Sequence, residues 1–160
     1  MPFSKNFLDA VSLSYCRLLI AGLSPVMPGT CGSALAAVLA PFLFLPLSFT
    51  ARVVVLALIF WSGALAATRV ERLMDCKDPG SIVIDELLGL WIVLLPFRQP
   101  GLLQIMVAFL LFRLFDMWKP WLVHASETWL PAGYGVMIDD AVAGLMALAV
   151  MGILCLVGFF

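Results

Sequence analysis

Two adjacent carboxylates lie inside an apolar run in the segment Ile82-Val83-Ile84-Asp85-Glu86-Leu87-Leu88-Gly89. Three more carboxylates lie in or at the ends of other apolar segments: Asp116, Asp139 and Asp140. An unpaired charge in an apolar setting is so costly that the group must pair, bind a cation or lose its charge. Half of the ten acidic residues lie in such settings, with basic residues close by. This pattern indicates a cation-binding catalytic site beside a membrane.

The composition is typical of a membrane protein. Hydrophobic residues make up 64% of the 160-residue chain and charged residues 12%, and the mean hydropathy is +1.12. Because charged residues are about 25% of a typical soluble domain, we expect the excess apolar surface to face lipid. The length fits a single domain over residues 1–160, and a net charge of −1 provides no basic stripe for nucleic acid. We therefore predict an all-α fold, an integral membrane helical bundle.

The alternation of apolar and polar segments predicts where the helices lie. An N-terminal interfacial helix is expected over residues 7–20, either lying along the membrane surface or packing on the bundle. Four or five apolar segments follow, over residues 33–50, 52–67, 82–97, 101–118 and 136–160. Pro41 and Pro46 predict that the first of these is kinked or re-entrant. A polar stretch over residues 68–81 and a loop over residues 118–135 are expected to connect the later segments.

The basic residues predict an orientation in the membrane. If the first apolar segment crosses, one side carries six of them: Lys5, Arg17, Arg69, Arg72, Lys77 and Lys119. The other side carries only Arg52 and Arg98. The positive-inside rule then places the loops 68–81 and 118–135 in the cytoplasm. The same tracing brings all five carboxylates to one depth near the cytoplasmic face.

The position of a carboxylate along its helix separates two explanations for its charge. Asp85-Glu86 and Asp139-Asp140 are predicted to lie in first helical turns, where the helix dipole favours negative charge. Asp116 is predicted to lie late in its helix, where the same dipole disfavours it. A bound cation is the best explanation for a negative charge at Asp116. The same explanation applies to the other four acids, as an alternative to the helix dipole.

Two elements of the sequence are suited to a phosphate group. Arg113 and Lys119 flank Asp116 on a loosely shared helical face, as expected for a cation-binding carboxylate between two phosphate-directed bases. The turn over residues 28–33 leads into an apolar helix, whose first N–H groups are a common site for an anion. The candidate contacts in that turn are Thr30, Gly32 and Ser33.

The donor set predicts the metal. Carboxylate oxygens without a cluster of histidine or cysteine point to Mg²⁺ rather than Zn²⁺. His124 is the only histidine, and we interpret it as an interfacial loop residue between Trp121 and Trp129.

Four segments together resemble the motif blocks of the phosphatidylglycerophosphatase A family, in that family's order. They are Pro28-Gly29-Thr30-Cys31-Gly32-Ser33, the segment from Gly80 to Gly89, the segment from Phe112 to Pro120, and the segment from Gly133 to Gly144. The resemblance covers residues 25 to 145. Some members carry a histidine-rich loop before the second block, whereas this chain has Asp75-Cys76-Lys77-Asp78-Pro79.

The resemblance implies a Mg²⁺-dependent phosphatase of the bacterial inner membrane, multi-pass and facing the cytoplasm, that converts phosphatidylglycerophosphate to phosphatidylglycerol. The five carboxylates would then be the catalytic and metal-binding residues, with Arg113, Lys119 and the 28–33 turn on the phosphate. The residues leave open which acid is the general base, and whether water or a carboxylate attacks phosphorus. Two alternatives are a CDP-alcohol phosphotransferase and a small cation-coupled transporter. The first lacks its glycine and arginine signature around residues 139–144, and the second would have carboxylates at the bilayer midplane.

Overall fold

The computed structural model describes residues 7–160, in which helices joined by loops and turns form the fold and no strand occurs. The helices are α1 (Phe7–Cys16), α2 (Pro28–Leu39), α3 (Phe49–Met74), α4 (Ile84–Leu94), α5 (Leu102–Trp118), α6 (Trp121–Ser126) and α7 (Gly133–Leu156). The predicted all-α class is therefore confirmed for this part of the chain. Lys5, which entered the count of basic residues, lies outside the described residues.

Helix α4 is the centre of the bundle. All of its residues except Ile92 are buried, and it packs against α2, α3, α5 and α7. Trp91 fixes it to α2, because its indole Nε1 donates a hydrogen bond to the Ala36 carbonyl at 3.0 Å and its ring stacks on Phe44 at 4.7 Å. A hydrophobic run with no polar face beyond its two carboxylates is what a fully enclosed helix requires.

Small residues bring α4 and α7 into close contact. A Cβ atom at Gly89 would overlap the ring of Phe112 and lie 2.8 Å from the Asp140 carbonyl oxygen. Gly144 in turn packs directly on the Gly89 backbone. The two helices that carry Asp85-Glu86 and Asp139-Asp140 therefore cross at a point where only glycine fits.

The N-terminal helix is shorter than predicted. It ends at Cys16 because Leu18 and Leu19 adopt left-handed backbone angles, with φ of 45° and 63°. It packs on α3, where Arg69 Nε donates to Asp9 Oδ1 at 2.5 Å. Its predicted position at a membrane interface stays a prediction.

The α-helix of the first apolar segment is interrupted at Pro41, where the sequence predicts a kinked or re-entrant segment. Helix α2 begins at Pro28 and passes at Ala40–Phe44 into a turn of π-helix that contains Pro41. Proline removes a backbone donor, which accounts for the change in hydrogen bonding at this point. The chain reverses at residues 45–48 and begins α3 at the Ser48 cap.

Several predicted boundaries were wrong, and three of the helices begin or continue beyond the predicted limits. Residues 28–33, which were predicted to form a turn, lie in the first turns of α2. Helix α3 continues through Arg69 and Arg72 to Met74, so the predicted polar stretch over 68–81 is a loop only after residue 74. Helix α7 begins at Gly133, three residues before the predicted start, because that glycine packs against the α3 backbone and donates to Thr68 Oγ1 at 3.1 Å. Asp139 and Asp140 therefore lie in the second turn of α7, and the prediction that they occupy its first turn is corrected.

Among residues 7–160, two helices are long and apolar enough to cross a membrane, α3 and α7. Helix α4 has 11 residues and α5 has 17, so the four or five spans predicted from sequence reduce to two by this measure. Any span beyond these two stays a prediction, because an enclosed core helix is as apolar as a lipid-facing one and hydropathy alone does not distinguish them.

Candidate active site

The five predicted carboxylates converge on one cavity of about 370 Å³ at the end of the bundle where α2, α4 and α7 begin and α5 ends. The cavity is lined by six acids and two bases: Asp78, Asp85, Glu86, Asp116, Asp139, Asp140, Arg113 and Lys119. With every acid ionised, six negative charges face two positive ones. An excess of four negative charges in a confined space requires cations or protonation.

Arg113 joins two of the helices. Its Nη1 donates to Glu86 Oε2 on α4 at 2.5 Å and to Asp116 Oδ2 on α5 at 2.6 Å. Ser33 Oγ on α2 also donates to Glu86 Oε2, at 2.7 Å. Arg113 Nε is buried without a hydrogen-bond partner among the described residues. The guanidinium therefore holds two carboxylates and keeps further donor capacity.

Lys119 holds a second pair of carboxylates. It ends α5 in a left-handed conformation with φ of 44°, and its Nζ donates to Glu127 Oε1 at 2.5 Å and Asp139 Oδ2 at 3.0 Å. Burial disfavours the ammonium form, but these hydrogen bonds outweigh burial and raise the pKa of Lys119. The hydrogen bond from Lys119 lowers the pKa of Glu127. Arg113 pairs with Asp116 on α5, whereas Lys119 pairs with Asp139 on α7. Asp116 is therefore not shared between the two bases, contrary to the prediction from the order of charges along α5.

Three of the lining acids have no cationic partner within the part of the chain that the structure describes: Asp78, Asp85 and Asp140. Asp85 Oδ1 accepts a hydrogen bond from the Glu86 backbone N–H at 2.9 Å, and Asp139 Oδ1 accepts one from the Asp140 N–H at 3.0 Å. Burial raises the pKa of Asp78, although Lys119 opposes the shift. These three acids are the ones most in need of a cation.

Asp78 and Glu127 were not identified from the sequence. Asp78 lies in the loop before α4, within the polar stretch over residues 68–81 that the sequence predicts only as a connection. Its proximity to the Asp85-Glu86 segment was the signal available. Glu127 lies just after the short helix α6, and no local sequence pattern indicates a role for it, because that role depends on its ion pair with Lys119 in the folded protein.

The residues predicted in the 28–33 turn lie behind the cavity wall, which Met27, Pro28 and Gly29 form. Ser33 supports Glu86, and a Cβ at Gly32 would meet Val83 at 2.7 Å. Thr30 Oγ1 is buried without a hydrogen-bond partner among residues 7–160. The α2 N-terminus thus borders the cavity, and contact of these three residues with a phosphate stays a prediction.

His124 is peripheral to the cavity. Its side chain is 74% exposed on α6, and its Nδ1 lies 3.7 Å from Glu127 Oε2. The side chains of Trp121 and Trp129 are also exposed. His124 lies in a helix and not in a loop, so that part of the interpretation is corrected, and its position at a membrane interface stays a prediction.

The cavity offers the donor chemistry of a hard divalent cation. Its six carboxylates supply only oxygen, which suits Mg²⁺. No three His, Cys, Asp or Glu side chains of the described region already stand together in ligating positions. Arg113 and Lys119 occupy the space between the acids, so a metal would have to be accompanied by movement of these side chains.

Comparison with known proteins gives a consistent family. The sequence model described as "Phosphatidylglycerophosphatase A" matches residues 15–155. A protein of that name from Escherichia coli K12 is 39% identical over 135 residues, covering 82% of this chain and 76% of the relative. One from Haemophilus influenzae is 35% identical over 131 residues, covering 82% and 80%. A Bacteroides thetaiotaomicron protein named "Putative phosphatidylinositol-3-phosphatase" is 35% identical over 139 residues, covering 83% and 86%. No solved structure matches the chain.

Proposed function

The chain belongs to the phosphatidylglycerophosphatase A family, and from this we propose that it hydrolyses the terminal phosphomonoester of phosphatidylglycerophosphate. The products are phosphatidylglycerol and inorganic phosphate. The observation that carries the proposal is the cavity in which six carboxylates surround two cationic side chains, all within the region that matches the family.

We propose Mg²⁺ as the cofactor, held by Asp85, Glu86, Asp116, Asp139 and Asp140, with Asp78 added from the fold. The charge excess of the cavity and its all-oxygen donor set support this assignment. When bound, Mg²⁺ would supply positive charge to the phosphoryl group and ease the deprotonation of a water molecule. Asp78, Asp85 and Asp140 are the first candidates because none of them is paired with a base among residues 7–160.

Arg113 and Lys119 are the residues proposed to bind the phosphoryl oxygens. Each holds carboxylates in this structure, and neutralisation of those carboxylates would free its N–H groups for an anionic substrate. Fixed cationic donors that face the phosphoryl group stabilise the negative charge that develops as the P–O bond breaks. A carboxylate that is free of metal would accept the proton of the attacking water.

We further propose that the protein is embedded in the bacterial inner membrane with this cavity at the cytoplasmic face. Large apolar side chains are exposed along α3, α5 and α7, among them Phe49, Leu58, Leu110, Leu145 and Ile153. Exposed apolar surface of this extent is unfavourable in water and favourable in lipid. The segregation of Arg69, Arg72, Lys77 and Lys119 to the cavity end supports the orientation.

The test is phosphate release by purified protein in detergent. We expect turnover of phosphatidylglycerophosphate with Mg²⁺, loss of turnover in EDTA, and recovery when excess Mg²⁺ is restored. Full activity in excess chelator would exclude the metal, and absence of phosphate release under all conditions would exclude the phosphatase. Phosphatidylinositol 3-phosphate belongs in the same assay, because one relative is named for that phosphomonoester. A higher kcat/KM on the inositol lipid would reassign the substrate while leaving the reaction class unchanged.

A further inference from the structure

We propose that an apolar groove between α2 and α5 holds an acyl chain of the lipid substrate. The proposal rests on the proposed function, since it assigns a binding site to the non-reacting part of that substrate. The groove has a volume of about 400 Å³ and only apolar side chains line it. Ala34 and Ala37 of α2 and Pro41 of the π-helical turn line one wall, and Ile105, Met106 and Phe109 of α5 line the other.

The groove and the catalytic cavity are formed by the same two helices. Pro28 and Gly29 of α2 line the cavity, and the groove begins at Ala34 of that helix. Arg113 of α5 lines the cavity, and the groove begins at Leu110. Given a rise of about 1.5 Å per residue, these starting points lie roughly 5–8 Å from the cavity along the helix axes. A lipid whose phosphate is in the cavity therefore has the groove within reach of its acyl chains.

The groove has the length and chemistry of an acyl-chain site. Its α5 wall extends from Leu110 to Leu102, which is about 12 Å of helix and a large part of one leaflet of an about 30 Å hydrocarbon core. The two alanines of α2 leave the space open. A headgroup without chains would gain nothing from such a surface, whereas a chain would gain free energy for each methylene that it buries.

The geometry also gives a direction of entry. Because the groove is open to the outside of the bundle between α2 and α5, the substrate can move sideways from the bilayer with its chain in the groove and its phosphate toward Arg113. Binding energy from the chain then positions the phosphomonoester, so loss of the groove should reduce kcat/KM for the lipid in particular.

The first test fills the groove from each wall, with Ala34→Trp and Met106→Trp. Ala57→Trp is the matched control, since Ala57 is an exposed alanine on α3 and lies outside the groove. Each variant is assayed on long-chain phosphatidylglycerophosphate and on its fully deacylated, water-soluble headgroup. We expect kcat/KM for the long-chain lipid to fall by roughly tenfold or more in the two groove variants, with the headgroup substrate unchanged. Ala57→Trp should alter neither.

Two kinetic outcomes would overturn the proposal. One is an equal loss on both substrates, which would mean that the substitutions disturb the catalytic cavity. The other is an unchanged kcat/KM on both substrates in both variants. A wild-type protein that is inactive on every phosphomonoester would instead count against the proposed function. In that case the binding test below decides whether the groove holds an acyl chain.

The binding test does not depend on turnover. Phosphatidylglycerophosphate with brominated acyl chains is added at a few mole per cent to unbrominated vesicles that contain the wild-type protein, Leu103→Trp or Ala57→Trp. Leu103 is exposed on α5 beside the groove but does not line it, so a tryptophan there leaves the groove open. After subtraction of the signal of the five native tryptophans, measured on the wild-type protein, we expect several-fold greater bromine quenching at position 103 than at position 57, because the groove concentrates this lipid. Equal quenching would show that bulk lipid covers both positions alike, and would reject the proposal.

Discussion

At the scale of single residues, Asp116 separates a metal site from a structural ion pair. Arg113 Nη1 contacts both Asp116 and Glu86, so Asp116→Asn leaves the arginine paired. We expect kcat to fall by about 100-fold or more, with a Tm in the absence of Mg²⁺ that is unchanged or higher. Asp9→Asn is the control, since it breaks the Arg69 pair away from the cavity and should affect only stability. A low Tm with normal turnover per folded molecule would make Asp116 a scaffold residue.

Asp78 can be tested against a close neighbour. Asp75 and Asp78 both have left-handed backbone angles with φ of 48°, which asparagine tolerates well, but only Asp78 lines the cavity. We expect Asp78→Asn to raise the concentration of Mg²⁺ needed for half-maximal activity by about tenfold, and Asp75→Asn to leave it unchanged. The measurement is a Mg²⁺ titration of phosphate release. Identical titration curves for the two variants would remove Asp78 from the site.

At the scale of helices, the α4–α7 crossing sets the distance between the two carboxylate pairs. Gly89→Ala would place a methyl group against the Asp140 carbonyl and the Phe112 ring, so we expect a loss of about 1–3 kcal/mol in the free energy of unfolding. Activity should fall as well, because the displaced helices carry Glu86 and Asp140.

Gly152 provides the control for that prediction. It lies in α7, and no atom lies within 4 Å of the position that an added methyl group would take. Gly152→Ala should therefore be neutral or stabilising by up to about 1 kcal/mol. Denaturation in detergent measures both variants. Equal stability of Gly89→Ala and the wild-type protein would show that the helices separate without cost.

The opposite end of the bundle is held by Arg52, which takes no part in the cavity. Its guanidinium donates to the Leu45 carbonyl, at the end of the π-helical turn that follows α2, at 2.5 Å. The same group donates to the Leu95 carbonyl, at the end of α4, at 3.0 Å. It also donates to the Phe97 carbonyl. Carbonyls at helix ends lack partners of their own, so one buried arginine satisfies both helix ends at once. This accounts for an arginine inside an apolar stretch without a role in catalysis.

At the scale of the whole molecule, the proposed orientation predicts which cysteines react. Cys76 is exposed in the loop after α3, on the cavity side. In a variant that retains only Cys76, we expect no labelling by an impermeant maleimide in intact cells and full labelling after permeabilisation. Gln99→Cys, in the exposed turn between α4 and α5 at the other end, should label in intact cells when it is the only cysteine. The reverse pattern would invert the protein in the membrane.

The sequence by itself determined the helical class, the apolar surface, and the carboxylates and bases of the cavity. It could do so because segment hydropathy and charges in apolar runs are local properties that hold in any packing of the helices. The tertiary structure decided which of those charges meet. Arg113 pairs with Glu86, 27 positions away, and Lys119 with Glu127 and Asp139, because the ends of four helices meet at one cavity. It also added Asp78 to the cavity and placed Asp139-Asp140 in the second turn of α7. Helix α4 proved to be an enclosed helix of only 11 residues, which is too short to count as a span. Contacts between helices depend on where small residues such as Gly89 and Gly144 allow close approach, and that is a property of pairs of surfaces that no single segment encodes.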